Sequence, residues 1–285
     1  MKTSSKAHSN LEIFLKKKAI WVRQEAFNMA IRADRGHLGG ALSVTDILVS
    51  IYYSKIFHLS KKQQNSVNRD RLIFSKGHAC LSLYPILADL GFFSKNELLR
   101  YGSNGTFLGG HPDHFIPGIE VSSGSLGHGL SIGSGIALSA IMDKKNFRTL
   151  VILGDGECME GSTWEAASFA SVQNLNNLIV IIDNNGVGAT DFVKNFMGGN
   201  SLSEKFKSFG WKVLDVNGHN FNDLLSVFIK IKDGRFNSPV ALIAKTTKGK
   251  GVSFMENNYH WHHGIPKGKL LDQALEELGL KKNNA

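Results

Sequence analysis

Two hundred and eighty-five residues with 42% apolar content, two cysteines and five prolines exclude the disulfide-framework, fibrous and disordered classes and describe an ordinary globular chain, long enough for one large domain or two small ones. The formal net charge of +9 raises the question of nucleic acid, but the lysines fall in short scattered runs (Lys16–Lys18, Lys61–Lys62, Lys248 with Lys250, Lys281–Lys282) with no recognition motif around them. A solvated basic face, or one suited to a small phosphorylated ligand, is expected, with neither nucleic acid nor membrane as partner.

The N-terminal "MKTSSKAHSNLEIFLKKK" has no apolar core followed by a small-residue cleavage site. No segment has the uninterrupted apolar length of a membrane span, so a cytoplasmic address is expected. In "LEIFLKKKAIWVRQEAFNMAIRAD" apolar residues recur every three or four positions, which predicts a long helix ending at Gly36. "SVTDILVSIYYSKIF" predicts a second, capped by Ser43 or Thr45. "RLIFS" reads as a short buried strand and "ACLSLYPILADLG" as the helix after it, while "SKNELL" opens with a capping box of Ser94 and Glu97. Cys80 and Cys158 lack C-x-x-C spacing and are read as reduced thiols.

After the irregular segment 101–123, the glycine-rich helix "LSIGSGIALSAIM" leads into "RTLVILG", the first of four apolar runs that alternate with helical ones. The others are "NLIVIID", "WKVLDV" and "PVALIAK", with "EAASFASVQ" and "FNDLLSVFIKI" among the helices between. Short strands buried on both faces and separated by helices predict a three-layer, doubly wound α/β fold with a mostly parallel sheet and ligands at the carboxyl ends of its strands. No linker, repeat or low-complexity block interrupts residues 1–285, so a single domain with an N-terminal helical extension is expected.

Two loops carry the chemistry. "ILGDGE" sets Asp155 between Gly154 and Gly156 directly beyond a strand, where glycines allow close backbone approach and amides near a helix start favour an anion such as a diphosphate. A carboxylate there repels that anion unless a cation lies between them. The next strand ends in "DNN", which supplies side-chain amide oxygens, and then "GVG", which supplies free backbone. Carboxylate, amide and carbonyl oxygens are the hard ligands Mg²⁺ takes together with phosphate oxygens. G-D-G and N-N are also ordinary turn sequences.

The combination resembles the thiamin-diphosphate enzymes, and among them the transketolases. "GDG" at 154–156 followed by "NN" at 184–185 is similar to the family's diphosphate motif, and "RGHLGGALS", "FSKGHA", "GGHPD", "SSGSLGHGLSIGSGIAL" and "TTKGKG" surround it in the family's order. The resemblance runs from about residue 10 to residue 280 and corresponds to the N-terminal, diphosphate-binding part of a transketolase.

Carried over residue by residue, it implies that Asp155 and Asn185 bind Mg²⁺ through their side chains and Val187 through its carbonyl. Gly154 and Gly156 lie against the diphosphate, with the Gly156 amide donating to it. His78 and a histidine of "HWHHG" reach the diphosphate and the reaction centre, His37 and His111 face the donor sugar's hydroxyls, and Gly124 and Leu126 meet the aminopyrimidine. Glu160 and Glu165 face a partner subunit. Each has an ordinary alternative: capping or turn histidines, solvated glutamates near a helix start, glycines that serve helix-on-sheet packing. That His37, His78 and His111 all adjoin glycine in irregular segments favours binding.

The sequence departs from the family in three places. Ser125 stands where the aminopyrimidine loop often has proline. "HWHHG" offers His260, His262 and His263 where one histidine is usual, and His263, directly before Gly264, is favoured. The pyrimidine-binding and C-terminal domains are not among these residues. The resemblance therefore implies a split transketolase in which a second, C-terminal chain completes each site, with two copies of each chain and sugar phosphates as substrates. Its competitors are a 1-deoxyxylulose-phosphate synthase-like enzyme, the alpha subunit of a 2-oxo acid dehydrogenase, and a non-catalytic cofactor-binding regulatory subunit.

Overall fold

The computed structural model describes residues 2–198, 201–234 and 236–281; Lys282, the end of the last lysine run, lies outside them. Five strands form one sheet: β1 (Arg71–Phe74), β2 (Thr149–Gly154), β3 (Leu178–Asn184), β4 (Lys212–Asn217) and β5 (Val240–Lys245). Their order across the sheet is β1-β2-β3-β5-β4, and every pairing among them is parallel. β2 is buried at every position, and β3 at all but its last, as expected of strands covered on both faces.

Alternation along the strands divides the core in two. Leu72, Phe74, Leu150, Ile152, Ile179, Ile181 and Leu242 point into one apolar cluster, Ile73, Val151, Leu153, Val180, Ile182 and Ile243 into the other. The first lies under α1 (Lys2–Ala33), α2 (Leu38–Tyr53), α3 (Leu83–Asp89) and, further along the chain, α8 (Phe221–Asp233) and α9 (Lys269–Glu277). The second lies under α4 (Gly129–Met142), α5 (Gly161–Val172) and α7 (Leu202–Ser208); the short α6 (Val193–Met197) follows β3. The result is the expected three-layer α/β arrangement.

On the first face the helices are two deep. Every residue of α2 is buried, because α1, the 3-10 segment Gly77–Ser82, α8 and α3 all pack against it. α1 turns Leu15, Ala19, Val22, Ala26, Met29 and Ala30 inward at helical spacing. Arg23 crosses from α1 to α2 in a two-pronged pair with Asp46, its Nη1 and Nη2 donating at 2.9 and 2.7 Å. Asp46 also meets Nδ1 of His219 at 2.7 Å, which ties the loop between β4 and α8 to the same helix pair. On the other face α4 lies so close to the sheet that a Cβ on Gly133 would stand 2.4 Å from Val151 Cγ2.

Two expected caps differ. α2 begins at Leu38, after His37, so Ser43 and Thr45 lie inside it and bond backward to the carbonyls of Gly40 and Ala41 at 3.0 and 2.9 Å. The glycines of "LGGALS" suit a loop, but here they let α2 pack against neighbouring side chains: a Cβ on Gly40 would meet His78 Nε2 at 3.3 Å. Ser94 caps only the short 3-10 segment Lys95–Arg100 by accepting from the Asn96 amide, while Glu97 turns to Arg100. Among the described residues no helix is long and apolar enough to cross a membrane.

Candidate cofactor site at the carboxyl edge of the sheet

The register sets the strand ends nearly level: Gly154 pairs with Asp183, and Asn184 with Lys245. From this edge the segments 75–78, 155–157, 185–188 and 246–248 converge. Together with His37, His111, Gly124, Leu126 and His262 they enclose a cavity of about 560 Å³. His37, His78, His111, Gly124, Leu126, Gly154, Asp155, Gly156, Asn185 and Val187, all singled out in the sequence, line this one space.

Asp155, 2% exposed, bridges the two motif loops: Oδ1 accepts from the Gly156 amide at 2.8 Å and Oδ2 from the amide of Gly186. Burial pushes its carboxyl up to about 6, with Asp183 adding to the rise and the two amides opposing it. A buried carboxylate gains from a neighbouring cation, and the oxygens around it suit a hard one. Asn185 keeps Oδ1 toward its own loop, where it accepts from Val187 N at 3.1 Å, and its Nδ2 points to Ser43 Oγ at 3.3 Å. The Val187 carbonyl accepts from Lys248 Nζ at 2.9 Å, so a positive charge already stands at that oxygen. Carboxylate, amide and carbonyl oxygens are the donor types that Mg²⁺ takes, and the Lys248 ammonium would have to yield the Val187 oxygen to it.

The floor of the cavity rests on residues that lie within the quoted motifs but to which the resemblance assigned no role. Lys76, Ser43 and Thr246 all bond the carboxylate of Asp183, which is fully buried. Glu157, also buried, accepts from Ser75 Oγ and from the amides of Gly127 and Gly154, the latter two at 3.0 Å. It thus holds the loop that ends at Gly127 against "GDG". Lys248 is 2% exposed and donates to Val187 O and Gly188 O; burial, then the charge of Lys76, brings its ammonium down to about 8. In sequence these lysines look like surface charge, and the available signal is their place in "FSKGHA" and "TTKGKG", two and three residues beyond β1 and β5.

The histidines gather on one side. The His37 ring lies 5.5 Å from His78, 5.7 Å from His111, 5.2 Å from His262 and 4.5 Å from His263, between centroids. Burial lowers His37 to about 4, helped by His263, His111 and Lys248; burial and Lys248 lower His262 to about 3; burial and Lys76 put His78 well below the usual range. All three are neutral near pH 7. Gly124 holds a φ of +138° under His111, where a Cβ would stand 2.8 Å from the ring.

Of the three histidines in "HWHHG", the structure places His262 in the cavity lining, with Nδ1 2.8 Å from Lys248 Nζ. His263, the favoured one, is exposed at the rim beside His37, and His260 is exposed as well. The short 3-10 turn Tyr259–Trp261 sets this direction, which adjacency to Gly264 does not reveal. Gly156 lines the cavity, but its amide is turned to Asp155 rather than outward. Glu160 and Glu165 lie exposed at the start of α5, outside the cavity lining.

A family model described as "Transketolase, thiamine diphosphate binding domain" matches residues 16–284. The chain is 40% identical, over 90% of its own length and 90% of the relative's, to an apulose-4-phosphate transketolase subunit of Phocaeicola vulgatus. It is 33% identical, over 95% of its length and 98% of the relative's, to a 6-deoxy-6-sulfo-D-fructose transketolase subunit of a Clostridium species. Among solved structures, the transketolase of Campylobacter jejuni superposes with a TM-score of 0.85 at 29% identity; the match covers 94% of this chain and 43% of that one.

Proposed function

This chain belongs to the transketolase family, by its thiamine diphosphate-binding domain, and from that premise we propose that it is the cofactor-clamping subunit of a split transketolase. With a separate C-terminal chain it moves a two-carbon ketol unit from a ketose or ketose phosphate to an aldose acceptor. The observation that carries this reading is the single cavity in which the Asp155–Asn185–Val187 oxygens and the histidines meet. Near-complete coverage of two relatives named as subunits supports the division of the enzyme between chains.

When bound, thiamin diphosphate supplies the electron sink for the carbon–carbon cleavage. The residues of this chain hold and orient. Asp155, Asn185 Oδ1 and the Val187 carbonyl would hold Mg²⁺ against the diphosphate, and Lys248, bonded to the Val187 and Gly188 carbonyls, and His78 line the same cavity as further groups for that anion. His37 and His262, neutral near pH 7, accept or donate hydrogen bonds at the donor hydroxyls without a competing proton, and His111 steadies charge on the donor oxygen as the bond breaks. Glu160 and Glu165 face the partner chain. We take residues 1–285 as one cofactor-binding domain, two copies of each chain as the assembly, and the cytoplasm as its location, which suits the free cysteines Cys80 and Cys158.

Reconstitution tests the proposal. Neither this chain nor the candidate C-terminal chain should turn over ketoses alone, while the mixture should form a larger particle on sedimentation and transfer ketol groups. Full activity from this chain alone would falsify the split-enzyme reading. A stable complex inert toward every ketose donor, including the apulose and sulfofructose types named for the relatives, would favour a regulatory subunit.

A further inference from the structure

We infer that Glu157 is a positioning residue that locks the two ends of the cofactor cavity to each other: its carboxylate sets the spacing between the diphosphate loop at Gly154 and the 124–127 loop expected against the aminopyrimidine. Glu157 is 2% exposed. Its Oε1 accepts from Ser75 Oγ and, at 3.0 Å, from the Gly127 amide, while Oε2 accepts from the Gly154 amide at 3.0 Å. One side chain thus joins the segments at the ends of β1 and β2 to the loop that leads into α4.

That loop is fixed from its two ends. At its start Ser123 Oγ donates to the Phe74 carbonyl at 2.8 Å, and at its close Ser162 Oγ donates to the Gly127 carbonyl at 3.0 Å. Gly127 itself holds a φ of +82°, and a Cβ there would stand 2.5 Å from Glu160 Cβ. Between the anchors Ser125 is exposed and leaves its backbone the freedom that a proline would remove. Order at this end of the cavity therefore comes from the anchors, and Glu157 is the one that also touches the diphosphate loop.

A ligand held at both ends binds tightest when the distance between its two half-sites is set beforehand, since no loop then has to be ordered on binding. A carboxylate suits that task by its acceptor count: its two oxygens carry only lone pairs, and all three neighbours donate. Glutamine has the same shape but one acceptor oxygen. In E157Q the amide NH₂ must confront either the Gly154 or the Gly127 N–H, and a buried donor set against a donor releases the loop on that side. The diphosphate loop keeps its own bonds through Asp155 whichever side yields. The identity of the two cofactor ends rests on the proposed function; the lock rests on the hydrogen bonds alone.

Amide hydrogen exchange in the full-length, cofactor-free chain reads the lock. E157Q should speed exchange at Gly127 or Gly154 at least tenfold, with Val151 and Ile181 in the sheet as protected as before. Calorimetry with the partner chain present should show Mg²⁺–thiamin diphosphate weakened at least tenfold, and Mg²⁺–pyrophosphate, which occupies one end only, weakened less than twofold. A merely structural role would weaken both probes alike; that result, unchanged exchange, or unchanged affinity for thiamin diphosphate would each overturn the inference. Should E157Q fold poorly, S75A, which strips one bond from the same carboxylate and keeps its charge, is read in its place with a threefold threshold. Failure of the wild-type chains to bind thiamin diphosphate would instead strike the proposed function, and the exchange rates would still decide the lock.

Discussion

Lys76, just past the end of β1, reaches across the sheet edge to Asp183 near the end of β3, and the two form an ion pair whose side chains are 2% and 0% exposed. Burial alone would raise the Asp183 carboxyl; the Lys76 ammonium and the hydroxyls of Ser43 and Thr246 hold it below its ordinary value instead. Lys76→Met leaves that carboxylate buried without counter-charge, and a loss of about 3–5 kcal/mol in unfolding free energy is expected. Urea titration checks it. Asp183→Asn in the same chain should recover part of the loss, since the neutral amide needs no cation. No recovery would assign the defect to packing of the lysine stem.

Removal of the Asp155 carboxylate by Asp155→Ala should weaken Mg²⁺ and thiamin diphosphate together while the sheet stays intact, because the side chain sits at the tip of β2 and not in either core cluster. Calorimetric titration in the presence of the partner chain reads both affinities. Unchanged binding of either would remove Asp155 from the clamp.

His111→Ala should lower turnover by about a hundredfold, the scale of one positioned charge-stabilising group. Cofactor affinity should change little. His111 lines the cavity over Gly124 and belongs to neither core cluster, so the truncation opens no core cavity. Wild-type rates on ketose donors would show that the ring only covers the glycine.

The depressed histidines set an acid limit. His37 and His262 fall to about 4 and about 3 in the folded chain, against an unfolded value of about 6.5. Between these values the unfolded state binds more protons, so their contribution is full above about 6.5 and is lost as pH falls toward 4. Asp155, raised to about 6, acts in the opposite sense: it favours the folded state at low pH and loses that contribution as pH rises through 6. Glu157 and Glu25, also raised by burial, act with Asp155, while His78 and His111, also lowered by burial, act with the two histidines, four groups against three. Thermal midpoints of the cofactor-free chain should therefore drop from pH 6.5 to 4, and less steeply in H262Q. A flat profile would mean that these rings take up protons in place.

The legible parts of the molecule are those where the local pattern and the final environment agree. β2 and β3 are continuous apolar runs because both faces are covered, and the same runs mark where Asp155 and Asn185 must emerge. The pattern starts α2 five residues or more too late because its first turn is Gly39 and Gly40, which propensity assigns to loops and which the structure uses for contact with Lys248 and His78. Lys76, Lys248, Glu157 and Asp183 escape notice because burial of a charge is a property of the assembled sheet edge; nothing within a few residues of Lys248 distinguishes it from Lys250, which is half-exposed and pairs with Glu256. α9 carries an apolar stripe that packs Ala274 and Leu275 on the first cluster, yet it lies beyond the last motif and no chemistry draws the eye to it.

The cavity draws its lining from His37 to His262, with the segments after β1, β2, β3 and β5 all contributing, so no stretch of the chain owns a site before the sheet is complete. Ligands of such a cavity recognise the native fold and nothing less, and at a hundred times its dissociation constant a ligand adds about 2.7 kcal/mol to the folded state. For a protein whose whole margin is on the order of 10 kcal/mol, bound cofactor is then a substantial share of the stability. A substitution at the Arg23–Asp46 pair, far from the chemistry, would be masked at saturating cofactor and show as lost folded protein when cofactor is scarce.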